Sequence, residues 1–185
     1  MVNKKDKAIL LDRKQIQKTL VRLAHEIIEK NSNLENVAII GIRTRGVVIA
    51  ERLCSAIKDI SGVILDSGSI DVTFYRDDFE TNLGSPKIGP SDILFDISKK
   101  DVILIDDVLY TGRTIRAAME EIFSLGRPDR IQLAVLIDRG HRELPIKANY
   151  VGKNYPTSFN EHIHVHIDEI DGNENVKLVE YNEQA

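Results

Sequence analysis

Cysteine occurs once in the 185 residues, at Cys54, so no internal disulfide can form and a reducing, cytoplasmic compartment is expected. No apolar run approaches the roughly 20 residues that a membrane helix needs, so no membrane partner is expected. The opening residues MVNKKDKAILLDRK carry charge without a long apolar segment behind them, which argues against a signal peptide. Positive charge is not in excess either. The formal net charge of −4 argues against a globally basic nucleic-acid binder, although it leaves a local basic face open. Repeats, low-complexity tracts and linkers are also missing.

What is present is a chain 42% hydrophobic with its charges interspersed, enough for a real core in one domain over residues 1–185. Asp12 is placed to cap a helix running to about Asn31. On that helix Ile16, Leu20, Leu23 and Ile27 share one side, and Lys14, Lys18, Arg22 and His25 the other. NVAIIGI (36–42), DVILID (101–106) and IQLAVLID (131–138) read as buried strands, and IDVTFYR (70–76) alternates like one. A helical pattern follows the first run, with Ile49, Ala50, Leu53, Cys54 and Ile57 on one face, which makes Cys54 an inert core thiol. Another spans Thr114–Leu125 and is closed by Gly126. Further strands are expected near 150–152, 163–168 and 176–181. Continuous apolar strands alternating with amphipathic helices specify an α/β fold with a parallel sheet covered on both faces. The irregular tail from about Gly140 would cap it.

In such a sheet, ligands bind beyond the carboxyl ends of the strands. Three polar segments could meet there: 43–46, 106–114 and 138–142. The second begins with two adjacent carboxylates, Asp106 and Asp107, and continues through Val108, Leu109 and Tyr110 to Thr111, Gly112, Arg113 and Thr114. A strand-to-helix loop with a glycine and two threonines describes a phosphate cradle, because helix N-termini offer unpaired amides and a favourable dipole. The acid pair would repel a phosphate but suits vicinal hydroxyls. A sugar 5-phosphate satisfies both halves; turn capping by the two aspartates is the plainer alternative. Arg43-Thr44-Arg45-Gly46, also between strand and helix, suits a diphosphate. His162, His164 and His166 alternate along a strand, but without acidic or cysteine ligands at zinc spacing they read as ordinary strand residues.

VILIDDVLYTGRT (102–114) resembles the binding motif of the type I phosphoribosyltransferases: four apolar residues, two acids and a small loop ending Thr-Gly-x-Thr. The segments 138–158, 75–78 and 22–31 resemble one branch, the bifunctional pyrimidine-operon regulators that are also uracil phosphoribosyltransferases. The resemblance runs from about Ala8 to Glu180. It implies a parallel sheet with flanking helices and a small C-terminal hood, mainly from about 140–170. It implies 5-phosphoribosyl 1-diphosphate as substrate, with Asp106 and Asp107 on the ribose and residues 108–114 around the 5-phosphate. Residues 43–46 would hold the diphosphate. Arg139, Gly140, His141 and Ile163 would receive uracil, and Arg76, Asp77 and Asp78 would belong to a covering flap. Magnesium would arrive with the substrate, and no general base is assigned.

The resemblance further implies that UMP promotes binding of a leader-mRNA hairpin by a homodimer or homotetramer. Lys18, Arg22 and His25, joined by Arg142, Lys147 and Lys153, would form the RNA-binding face. Phosphate contacts supply much of such affinity, so a basic face is required. The alternatives are a phosphoribosyltransferase without RNA regulation, whose basic helix face is merely solvated, and a nucleotide-sensing regulator with little catalysis. A purine phosphoribosyltransferase is less consistent with the hood segment.

Overall fold

The computed structural model describes residues 3–72 and 91–182. In chain order, β1 (Asn3–Asp12) leads into α1 (Arg13–Lys30), and β2 (Val37–Ile42) into α2 (Arg45–Ser61) and β3 (Asp66–Ile70). Then β4 (Asp101–Leu109) feeds α3 (Arg113–Leu125), followed by β5 (Arg130–Asp138), β6 (Tyr150–Asn154), β7 (Glu161–His166), α4 (Asp168–Asp171) and β8 (Asn175–Asn182). Five strands form a parallel sheet in the order β3-β2-β4-β5-β6. Its two faces carry separate cores. On β4, Ile103 and Ile105 pack with α1 and α2, while Val102 and Leu104 pack with α3. Both faces are covered, so the central strands are apolar without alternation.

Asp12 caps α1 as expected. Its carboxylate accepts from the Gln15 amide at 2.8 Å, and the Gln15 side chain accepts from the Asp12 amide at 2.9 Å, a reciprocal capping box. Ile16, Leu20, Leu23 and Ile27 are all buried. Helix α1 lies against the edge strand β6, because a β-carbon on Gly152 would come within 2.8 Å of the Thr19 methyl and also strike the Leu136 carbonyl. Cys54 sits half-buried on the apolar face of α2, and burial, helped by Glu51, pushes its thiol up to about 11.

Two elements differ from the sequence reading. Strand β3 occupies Asp66–Ile70, a stretch not read as a strand; of the strand expected over 70–76, only Ile70 belongs to it, residues 71–72 are not strand, and 73–76 lie outside the described residues. Its polar Asp-Ser-Gly-Ser start carries no apolar signal because β3 is an edge strand, paired on one side with β2. The N-terminal residues, read as a charged lead-in, form β1. It joins β8 and β7 in a second, antiparallel sheet of order β1-β8-β7. The flap expected at Arg76, Asp77 and Asp78 lies outside the described residues. No helix among the described residues is long and apolar enough to cross a membrane.

Candidate active site

Strand β4 runs through the acid pair to Leu109, so both carboxylates stand at its carboxyl end, with Asp106 5% and Asp107 8% exposed. Each is fixed locally. The Asp107 amide donates to Asp106 Oδ1 and the Val108 amide to Asp107 Oδ1, both at 2.9 Å. Val108 and Tyr110 are half-buried and Leu109 is buried. The chain then turns through buried Thr111, whose hydroxyl accepts from the Arg113 amide at 3.2 Å. Gly112, the N-cap of α3, has φ 96°, a left-handed conformation that a β-carbon would strain. The first amides of a helix have no partner within it, so α3 presents donors at the loop, next to half-buried Thr114. Arg113 points outward and pairs with Glu143 at 2.6 Å.

The 43–46 loop stands beside this turn. Gly46 is the reason: a β-carbon there would lie 2.5 Å from the Ile105 carbonyl oxygen and 3.3 Å from Asp106 Cα. The start of α2 therefore touches the backbone of the acid pair. The Arg43 amide donates to the Ile70 carbonyl at 2.9 Å, the Arg43–Thr44 peptide is cis, and exposed Thr44 is the N-cap of α2. The Arg45 guanidinium grips Asp171 with both arms, Nη2 to Oδ1 at 2.8 Å and Nε to Oδ2 at 3.2 Å. Burial works to raise the Asp171 carboxyl, but hydrogen bonds from Arg45 and the Ile167 amide outweigh it and hold it below the ordinary range.

The third segment closes the other side. The Arg139 amide donates to the Leu109 carbonyl at 3.1 Å. Its side chain is 4% exposed, lies 4.1 Å above the Tyr110 ring, and donates to Thr157 Oγ1 at 3.0 Å and the Glu161 carbonyl at 2.5 Å. Burial draws its pKa down. Gly140 and His141 both have positive φ, 82° and 59°. His141 Nε2 donates to the Thr157 carbonyl at 2.6 Å, and its ring lies 4.5 Å from that of exposed Phe159. Ile163, two residues beyond Glu161 on β7, packs half-buried on the larger core. The structure thus brings residues 43–46, 106–114 and 139–141 to one end of the sheet.

The basic residues are more scattered. Lys18 and His25 are exposed on α1. Arg22 pairs with Glu26 and donates to the Gly152 carbonyl at 2.5 Å, tying α1 to β6. Lys153 donates to the Leu10 carbonyl at 3.3 Å, and Lys147 is exposed. The Arg142 guanidinium is engaged by loop carbonyls around the site. His162 and His164 lie on β7, and burial lowers the pKa of both.

Sequence reasoning missed Asp171, Thr157 and Phe159. Only Asp171 left a trace, in an acidic stretch, Asp168-Glu-Ile-Asp171, that had no assigned counterpart.

Residues 7–170 match the phosphoribosyl transferase domain family. A relative named Bifunctional protein PyrR from Pelotomaculum thermopropionicum is 53% identical over 176 residues, 95% of this chain and 97% of the relative. One of the same name from Bacillus mycoides is 51% identical over 175 residues, 94% and 97% of the two chains. The chain belongs to the phosphoribosyl transferase family, in its bifunctional PyrR branch. Among solved structures, a hypoxanthine-guanine phosphoribosyltransferase from Bacillus anthracis superimposes with TM-score 0.71 at 22% identity, covering 94% of this chain and 98% of that one. At that identity the likeness establishes the shared fold.

Proposed function

We propose that this phosphoribosyltransferase joins uracil to the ribosyl group of 5-phosphoribosyl 1-diphosphate, giving UMP and diphosphate. We propose further that, with UMP bound, a homodimer or homotetramer of the protein holds a leader-mRNA hairpin and so attenuates transcription of pyrimidine-biosynthesis genes. The observation that carries the enzymatic reading is the buried Asp106–Asp107 pair running directly into the Gly112 turn and the N-terminus of α3. The regulatory reading draws on the naming of the relatives and on Lys18, His25 and Lys147, which are exposed.

Uracil N1 replaces diphosphate at the anomeric carbon. Positive charge builds on the ribose ring and negative charge on the departing diphosphate, so orientation and charge stabilisation are the main tasks of the protein. Asp106 and Asp107 accept from the ribose hydroxyls, and the amides and hydroxyls of 108–114 hold the 5-phosphate. Residues 43–46 receive the diphosphate, while Arg139, Gly140, His141 and Ile163 surround the base. The two strand-end carboxylates are hard oxygen donors of the kind magnesium prefers, and magnesium bound with the diphosphate would neutralise the leaving group. Among the described residues, no group of three or more His, Cys, Asp or Glu side chains could hold a metal of its own. No carboxylate is needed as a nucleophile.

A second reading, a phosphoribosyltransferase without RNA regulation, is favoured by one observation. Arg22, Arg142 and Lys153 donate to backbone carbonyls of the protein itself. Two measurements decide. Labelled uracil, 5-phosphoribosyl 1-diphosphate and magnesium should yield UMP; none formed refutes the enzymatic reading. Titration with a leader hairpin should show binding that UMP strengthens; no binding at low salt leaves the enzyme alone.

A further inference from the structure

Arg142 makes an unusual set of contacts for a residue that is half-buried on a loop. Its Nη1 donates to the carbonyls of Tyr110 at 2.5 Å, Gly140 at 3.0 Å and Leu109 at 3.3 Å. Its Nε donates to the Ile146 carbonyl at 3.1 Å, and Nη2 pairs with Asp138 Oδ2 at 2.5 Å. The next carbonyl of the turn, Thr111, accepts from the Glu143 and Leu144 amides at 3.0 and 3.2 Å. Three consecutive carbonyls of the turn, Leu109 to Thr111, are therefore all drawn toward the 140–146 segment.

Peptide planarity makes this consequential. In a trans peptide the N–H points opposite to the carbonyl of the same plane. Holding the Leu109 and Tyr110 carbonyls on one side therefore aims the Tyr110 and Thr111 amides to the other, and the Thr111 carbonyl does the same for Gly112. Those amides lead into the N-terminus of α3, where a phosphate would be held. Arginine suits the task because its planar fork presents several donors in fixed directions, whereas a lysine ammonium is a single centre. Asp138, at the end of β5, anchors the guanidinium from behind.

We infer that Arg142 is a positioning residue for the phosphate cradle: it fixes the Tyr110–Thr111 peptide plane and, together with the Arg139 amide, the Leu109–Tyr110 plane before it, so that their amides converge on the 5-phosphate. This rests on the reading that residues 108–114 hold that phosphate. It also gives Arg142 a role that requires no RNA.

The test compares full-length wild-type protein with Arg142→Gln and Arg142→Lys, using calorimetric titration with UMP and with uridine, which lacks the phosphate. KM is measured separately for 5-phosphoribosyl 1-diphosphate and for uracil. Wild type should favour UMP strongly. In Arg142→Gln, UMP affinity should fall about tenfold or more while uridine affinity changes less than about threefold, in line with misplaced charge-assisted contacts. KM should rise for the phosphorylated substrate and hold for uracil. Arg142→Lys should recover part of the preference, since an ammonium still reaches the Tyr110 and Gly140 carbonyls. If Arg142→Gln fails to fold, Arg142→Lys carries the test, with an expected loss in UMP-over-uridine preference of about threefold. A preference unchanged in whichever variant folds overturns the inference, whether or not hairpin binding is lost, as do equal losses for both ligands. A wild-type protein that does not distinguish UMP from uridine overturns the cradle reading itself.

Discussion

Replacing Asp171 by asparagine removes the charge that faces Arg45 while keeping the shape of the side chain. In the wild type the pair is bidentate, with Arg45 30% and Asp171 17% exposed, so solvent screens it only in part. Asp171 Oδ2 also accepts from the Ile167 amide at 2.8 Å, which holds the start of α4. Asparagine keeps one acceptor oxygen and puts an NH2 group where the second was, against an arginine that can only donate. A hydrogen bond to a charged group is worth about 1.5–3 kcal/mol, and about 2–4 °C of Tm follows each kcal/mol in a chain of this size. The expected loss is therefore roughly 3–12 °C near neutral pH. The pH dependence fixes the cause. The Asp171 carboxyl is held below its ordinary value of 3.8, so its contribution is fully present above that value and is lost as pH falls through the lower, folded-state value. Thermal melts followed by circular dichroism should show an undiminished gap between the two proteins at about pH 5 and a shrinking one below about pH 4. A gap that stays constant into that acid range would mean that the damage is steric. No gap at all would mean that the ion pair contributes nothing to stability.

Other consequences are as direct. Asp107→Ala should cost roughly 1.5–3 kcal/mol in binding of 5-phosphoribosyl 1-diphosphate and leave the melting transition cooperative; unchanged UMP synthesis in a folded variant would remove Asp107 from the ribose. Gly46→Ala should destabilise by about 1–3 kcal/mol in urea unfolding, since a β-carbon 2.5 Å from the Ile105 carbonyl must push α2 away from β4; an unchanged midpoint would contradict the close approach. If α1 binds RNA phosphate, Arg22→Ala should weaken hairpin binding and flatten its log–log salt dependence by about 0.7–0.9. It should also cost up to about 1 kcal/mol of stability, because Arg22 anchors the Gly152 carbonyl. A salt slope equal to that of the wild type would exclude the phosphate contact.

The sequence was most legible where burial dictates composition. Strands β2, β4 and β5 lie inside the sheet with both faces covered, so their apolar runs announce them. Strand β3 is an edge strand with a polar start, so only its last residue, Ile70, was read as strand. Strand β1 was missed for another reason: its partner is β8, at the far end of the chain, and such pairing leaves no local signature beyond weak alternation. At the site, the acid pair, the glycine and the threonines were readable because they form one contiguous strand-to-helix motif, in which Asp106, Asp107, Thr111 and Gly112 each meet a local backbone need. The partners of the arginines were not. A sequence displays charge, but the carbonyls that Arg22 and Arg142 bind belong to every residue and mark none.

The segment between β7 and β8 shows how little a net charge of −4 says about where charge acts. The acidic stretch from Asp168 to Glu174 meets three arginines from the other end of the chain. Arg13 takes Asp168 and Glu174, Arg45 takes Asp171, and Arg52 takes Glu169 and Glu174. These pairs are unequal. The side chains of Arg13 and Asp168 are 60% and 42% exposed, where an ion pair contributes at most about 1 kcal/mol. Glu174 is 5% exposed and lies between Arg13 and Arg52, so losing both arginines would strand its charge away from water. The strongest links are therefore those from Arg45 and Arg52, both on α2. Arg45 is also the first residue of that helix and part of the 43–46 loop, so the start of the same helix, beside the acid pair, ties down the segment between β7 and β8. Acidic residues that lower the overall charge thus serve to seat basic ones.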